Sequence, residues 1–198
     1  MAKRAFDILV SAVALLILSP AFLLIALIIR LDSPGPAIFR QVRVARGGAP
    51  FRMLKFRTMR ADTAVAGPLI TVAGDSRITR FGRLLRSSKL DELPQLINVL
   101  RGDMSLVGPR PEVPKYVAMY PAELRDIVLS VRPGITDEAS IEFHDESALL
   151  AGAPDAEATY IEQIMPRKLA LYARYARHRT FFGDLRIVLR TLRVVARR

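Results

Sequence analysis

Hydrophobic and polar positions divide this chain unevenly. Residues 8–29 read ILVSAVALLILSPAFLLIALII, 22 positions without a charge, which as a straight helix reach roughly 33 Å and suffice to cross a bilayer. The run is too long for the core of a secretory signal, and no small-residue cleavage site closes it before Arg30-Leu31-Asp32, so a retained membrane helix is expected. Lys3 and Arg4 precede it, while Arg30, Arg40, Arg43 and Arg46 follow it. Positive residues favour the cytoplasmic side at both ends. Ser19-Pro20 falls mid-run, where proline removes a backbone hydrogen bond and Ser19 can partner the freed carbonyl. The residues alone leave two topologies open: a kinked helix that dips in and returns, and a span.

Beyond a turn cluster at Asp32-Ser33-Pro34-Gly35-Pro36 the pattern shortens. Residues 37–44 and 51–58, rich in aromatic and β-branched types around Arg46-Gly47-Gly48-Ala49-Pro50, predict a β-hairpin. Residues 60–75 read as loop, and 77–85 as a short helix ending near Ser87-Ser88. The stretch 90–102 has two acids, a proline, an apolar stripe at Leu93, Leu96, Ile97 and Leu100, then Arg101-Gly102, the order of a helix start, body and stop. Asp91 and Glu92 therefore fall at a predicted helix N-terminus, which favours negative charge. Capping and chemistry are both open roles for them. Pro109-Arg110-Pro111 holds a guanidinium in a fixed turn, suited to phosphate or base contact, with a plain surface turn as the alternative. A helix is expected to begin near Asp155 and run toward Met165. At the C-terminus Leu185, Val188, Leu189, Leu192, Val195 and Ala196 step along one face while Arg186, Arg190, Arg193 and Arg197 step along another. Such a helix suits an anionic lipid surface or packing on its own domain. Residues 121–131 and 168–179 also mix apolar and basic positions and are further candidates for lying on a membrane.

Composition narrows the chemistry. Thirty Lys and Arg against 19 Asp and Glu give a net charge of +11, and only five of the cations are lysines. Guanidinium groups favour phosphate partners, whether in nucleic acid, an anionic membrane or a phosphorylated substrate. With no cysteine, thiolate catalysis, disulfides and cysteine-ligated metals are excluded, and two histidines leave little for a histidine-built metal site. The arginines are scattered, without an aromatic stacking motif or zinc spacing, so nucleic acid is not an expected partner.

Taken together, Lys3-Arg4-Ala5-Phe6-Asp7, Ser19-Pro20, Phe39-Arg40-Gln41, Lys55-Phe56-Arg57-Thr58-Met59, Asp91-Glu92-Leu93-Pro94-Gln95, the run from Gly102 through Gly108-Pro109-Arg110-Pro111, and Arg132-Pro133-Gly134-Ile135-Thr136 closely resemble the bacterial sugar transferase family of small monotopic polyprenyl-phosphate phosphoglycosyl transferases. The resemblance covers nearly the whole chain in order. It implies an α+β protein, mainly helical with a short hairpin. Residues 1–32 would form a re-entrant membrane helix broken at Ser19-Pro20, and 33–198 a catalytic domain with amphipathic interfacial helices at the cytoplasmic face of the bacterial inner membrane. The implied reaction moves a sugar-1-phosphate from a UDP-sugar to undecaprenyl phosphate with release of UMP, using Mg²⁺ and a covalent phosphosugar intermediate, and so starts assembly of an exopolysaccharide, capsule, O-antigen or glycoprotein glycan. By the same resemblance Asp91 is the nucleophile and Glu92 its partner in holding Mg²⁺. Arg86, Arg110, Lys55 and Arg57 are substrate phosphate contacts, and Asp184 is a supporting or substrate-binding group. The chain departs from the family at Asp137-Glu138-Ala139-Ser140, where a glycine is usual after Pro-Gly-Ile-Thr, and this acidic stretch is a candidate lining for the sugar pocket. Two other activities were weighed: hydrolysis of the donor diphosphate by the same Asp91, and membrane-tethered nucleic-acid binding.

Overall fold

The computed structural model of the chain describes residues 2–60 and 70–196. In order, it has α1 (Ala2–Asp32), β1 (Ile38–Val44), β2 (Pro50–Phe56), α2 (Arg80–Ser87), α3 (Gln95–Arg101), β3 (Ser105–Val107), α4 (Pro114–Val117), α5 (Ala122–Leu129), β4 (Gly134–Thr136), α6 (Glu138–Glu142), α7 (Glu146–Ala151), α8 (Ala156–Thr159), α9 (Met165–His178) and α10 (Phe181–Ala196). The expected hairpin is present, antiparallel, with Phe39 opposite Lys55 and Arg43 opposite Phe51. Most of the expected loop 60–75 lies outside the described residues. A second, two-stranded sheet was not expected: β3 and β4 pair in parallel, Ser105 with Gly134 and Val107 with Thr136. Three-residue strands carry too little alternation to register as strands in a sequence. Their approach demands glycine, because a Cβ on Gly134 would stand 2.1 Å from the Gly108 nitrogen.

The long apolar helix is unbroken at Ser19-Pro20, contrary to expectation: helix runs through both residues. The local chemistry explains this. Pro20 leaves the Leu16 carbonyl without its usual amide donor, and the Ser19 hydroxyl donates to that carbonyl at 2.8 Å. Among apolar side chains exposed along α1 are Leu9, Leu16, Ile17, Leu23 and Leu31, each at least 65% accessible. Both ends are fastened to the rest of the chain. In the first turns, Lys3 Nζ donates to Asp184 Oδ2 (2.6 Å) and the Val107 carbonyl (3.1 Å), Arg4 donates to the carbonyls of Val99 and Leu100, and buried Asp7 accepts from the Ser105 hydroxyl at 2.8 Å. At the other end Ile25 and Ile29 pack with Phe56 and Leu85. Buried Arg57 there donates to the carbonyls of Ile29, Ser33 and Pro34, filling acceptors that a helix C-terminus leaves open.

Two further interiors complete the domain. Phe51 and Met53 of the hairpin pack with Leu96 and Val99 of α3, Tyr175 and Ile187, with Phe6 and Val10 of α1 against them. A larger cluster joins Val113, Tyr116, Val128, Tyr160, Leu169 and Tyr172. The apolar sides of α5 and α9 belong to that cluster, so the apolar positions of 121–131 and 168–179 are covered by protein. By contrast, α10 buries Asp184 and Ile187 and leaves Phe182, Leu185, Leu189 and Leu192 exposed. The helix expected near Asp155 forms, capped by the Asp155 side chain, but continues through a π turn (Tyr160–Ile164) directly into α9.

The Arg57 clamp yields a test. Lysine is a point charge and cannot serve several carbonyls as the guanidinium fork does. Arg57→Lys is expected to cost about 2 kcal/mol, lowering the melting temperature by roughly 4–8 °C for a domain of this size, read by thermal denaturation in detergent.

Candidate active site

The two adjacent acids lie in a single 3-10 turn, Leu90–Glu92, between α2 and α3. Lys89 enters it with φ of 58°, a left-handed backbone that residues with a Cβ rarely adopt. Pro94 then starts α3, which closes on Gly102 in the left-handed region, the residue type suited to that stop. The helix signals in 90–102 were therefore read in the right order but one turn early, and the acids precede the α-helix. Neither capping position there receives a side-chain hydrogen bond. Capping does not account for Asp91 and Glu92.

Their surroundings differ sharply. Glu92 Oε1 accepts from Lys55 Nζ at 3.0 Å, Oε2 accepts from Arg110 Nη1 at 3.0 Å, and Arg110 Nη2 donates a further bond to Oε1. Burial opposes ionisation of Glu92, yet the Arg110 and Lys55 charges and their hydrogen bonds hold it well below the usual carboxylate range. Glu92 in turn raises the pKa of Arg110. Asp91 is buried beside it and makes no side-chain hydrogen bond to another described residue. Burial pushes its pKa up and the Glu92 anion adds to this, while Lys55, Arg86 and Lys89 act the other way. Burial likewise pulls Lys55 down, against the Glu92 charge.

The structure brings Asp91, Glu92, Lys55, Arg110 and Arg86 into one electrostatic group. Arg86 is placed by α2: Nε donates to Thr58 Oγ1 at 2.9 Å, and α2 comes this close because Gly82 has no Cβ to collide with the Thr58 carbonyl. Arg57 and Asp184 are not brought to the group. Both terminal nitrogens of Arg57 donate to the end of α1 while its Nε is buried without a partner, and Asp184 accepts from Lys3 and, at 2.8 Å, from Tyr175. Asp137, named only as the start of an acidic stretch, is a residue that sequence reasoning undervalued. It is fully buried, caps α6 through Ser140, and adds to the field that raises Arg110. Its signal was position alone, directly after the Pro-Gly turn. Thr58 and Gly82 gave no signal beyond their motifs.

A buried carboxylate pair ringed by guanidinium and ammonium groups is the equipment of an enzyme that handles phosphate esters. The chain belongs to the bacterial sugar transferase family, a family of transferases, whose model matches residues 1–198. It is similar to a UDP-glucose:undecaprenyl-phosphate glucose-1-phosphate transferase of Caulobacter vibrioides, 42% identical over 194 residues that make up 96% of this chain and 68% of that one. A UDP-N-acetylgalactosamine-undecaprenyl-phosphate N-acetylgalactosaminephosphotransferase of Aeromonas hydrophila is 38% identical over 98% of this chain and 43% of its own length. An exopolysaccharide production protein PSS of Rhizobium leguminosarum is 54% identical over 109 residues, 54% of each chain. The first two of these relatives are longer than this chain, which corresponds to part of each.

The asymmetry of the pair predicts opposite effects on stability. Glu92→Gln strands two cations, with an expected loss of about 3 kcal/mol and roughly 6–12 °C in melting temperature. Asp91→Asn removes a buried anion that has no hydrogen bond, and at pH 7 is expected to melt at or above the wild-type temperature. Parallel thermal melts of the two variants check both.

Proposed function

We propose that this chain is a phosphoglycosyl transferase that moves a sugar-1-phosphate from a UDP-sugar to undecaprenyl phosphate through a covalent bond to Asp91. The observation that carries the reading is the division of the pair: Glu92 is held by two cations, and Asp91 stands beside it with its oxygens uncommitted. An Asp91 oxygen bonds to the sugar-bearing phosphorus of the donor as the bond from that phosphorus to the bridging oxygen breaks, and UMP departs with the electron pair. A phosphate oxygen of undecaprenyl phosphate then attacks the same phosphorus, and Asp91 leaves as a carboxylate. Anion attacks anion in both steps, so positive charge must offset repulsion. Arg110, Lys55 and Arg86 supply it. The names of the Caulobacter and Aeromonas relatives, which specify UDP-linked donors and undecaprenyl phosphate, support the same reading.

Magnesium fits this donor set as an ion carried largely by the donor diphosphate. Of the pair, Asp91 is the carboxylate that would hold such an ion, since both oxygens of Glu92 are bonded to Lys55 and Arg110, and no cluster of three or more acidic or histidine side chains occurs among the described residues. When bound, it neutralises diphosphate charge.

Several features support a monotopic arrangement at the cytoplasmic face. The groups that bind the first turns of α1 (Val99, Ser105, Val107, Asp184) and the last (Phe56, Arg57, Leu85) belong to one domain, knitted together where Asn98 of α3 bonds the backbone of Leu54 and Arg52. A straight crossing would set the two helix ends about 30 Å apart on opposite faces of the hydrocarbon. A helix that enters, bends at Pro20 while its helical run continues, and returns keeps them on one side, with the exposed stripes of α1 and α10 in lipid. A groove of about 800 Å³ lined by Leu23, Leu27, Phe39, Arg30 and Arg40 suits the acceptor's chain and its anionic head. Phe39 of that groove pairs across the hairpin with Lys55, which bonds Glu92.

Purified full chain, undecaprenyl phosphate and a panel of UDP-glucose, UDP-galactose, UDP-N-acetylglucosamine and UDP-N-acetylgalactosamine test the chemistry. UMP release is expected with at least one donor and none from Asp91→Asn. Without acceptor, the peptide holding residue 91 should gain the mass of sugar plus phosphate; its absence from a working enzyme would remove the nucleophile assignment. Steady release of sugar phosphate without lipid would instead indicate a hydrolase. For topology, the cysteine-free chain allows single cysteines at Ala2 and Ala49. Both are expected to resist an impermeant thiol reagent in intact cells, whereas labelling at Ala2 alone would mean a straight span.

A further inference from the structure

One buried polar side chain near the dyad has no structural employment. Gln95 opens α3, is wholly inaccessible to solvent, and neither Oε1 nor Nε2 of its carboxamide has a hydrogen-bond partner. Buried amides are ordinarily paired, because an unmet donor or acceptor in the interior is costly. Its neighbour one turn on shows the ordinary case. Asn98, equally buried, accepts from the Leu54 amide at 3.0 Å and donates to the Arg52 carbonyl at 2.9 Å, which fixes that side of α3 toward β2. The turn that holds Asp91 also packs on β2. Gln95 lies four residues after Asp91 and three before Asn98, and the backbone stays helical through Leu93 and Pro94 between turn and helix. Helical side chains lean toward the N-terminus, which carries the Gln95 amide back toward Asp91 and away from the partners that satisfy Asn98.

We propose that Gln95 is a further catalytic residue, whose Nε2 donates to the phosphoryl group carried by Asp91 during transfer. The inference rests on Asp91 being the nucleophile. In the resting protein the two side chains form no hydrogen bond. Attachment of the sugar phosphate brings new oxygen acceptors to Asp91, and a donor already dehydrated and held on a helix meets them without reorganising. Such a donor stabilises the reacting state more than the resting one. The chemistry itself is unchanged: the O–P bond forms and breaks at Asp91, and Gln95 gives no proton away.

The test uses the full chain with the donor that wild type turns over fastest from the UDP-sugar panel, plus undecaprenyl phosphate. Gln95→Met keeps the size and removes both polar atoms. It is expected to melt at or above the wild-type temperature while kcat for UMP release falls on the order of 100-fold and donor KM changes little. Gln95→Glu, of equal shape but negative at neutral pH, is expected to fall further. Turnover by Gln95→Met within threefold of wild type overturns the proposal. So does a joint loss of activity and melting temperature, which would make Gln95 a structural residue. Asp91→Asn runs in parallel: full turnover there removes the nucleophile reading, whereas a silent Asp91→Asn beside an unaffected Gln95→Met removes only the role given to Gln95.

Discussion

Two neighbouring carboxylates share a buried turn, and the protein resolves their repulsion by giving the cations to one of them. Lys55 reaches Glu92 from the hairpin, and Arg110 reaches it from the rigid turn between β3 and α4. That single ion cluster ties three separately built parts of the domain together at one point. It also determines what is left for Asp91: a largely buried position, a positive surrounding field and no hydrogen bond to another described residue. A pair in which both acids were equally satisfied would be more comfortable and chemically inert. Much of the architecture around the turn serves this division, from the glycine that lets α2 carry Arg86 to Thr58, to the prolines that hold Arg110.

How much of this could be read from the amino-acid order differs from part to part. The hairpin, α2, α3 and the long apolar helix follow from periodicity and punctuation, and the Asp91–Glu92 pair stood out because two acids and a proline ahead of an apolar stripe form a compact signal. The dyad's asymmetry did not, since it depends on Lys55 and Arg110, 37 and 18 residues distant in the chain. Arg57 shows the converse ambiguity. Carbonyls at a helix end and oxygens of a phosphate are both arrays of acceptors, and a sequence does not distinguish which of them a guanidinium will meet.

The helices of 121–131 and 168–179 make a related point. A three-and-four spacing of apolar residues establishes that one face avoids water, without saying whether lipid or another helix covers it. In α5 and α9 the cover is protein, with Tyr172 and Val128 in the core. In α10 the exposed Phe182, Leu185, Leu189 and Leu192 have no such cover. At Ser19-Pro20 the serine hydroxyl takes over the carbonyl that the proline releases, as its position next to proline implied, and the helical run continues through both residues.

The fastening of α1 also governs how the molecule comes into being. Lys3 meets Asp184 across 181 positions of chain, so the start of α1 must wait for α10 before that partner exists. Contacts so remote in sequence close late and slow folding. Until α10 is made, the ammonium group of Lys3 is without its carboxylate, and α1 completes its attachment only when nearly all of the domain is in place.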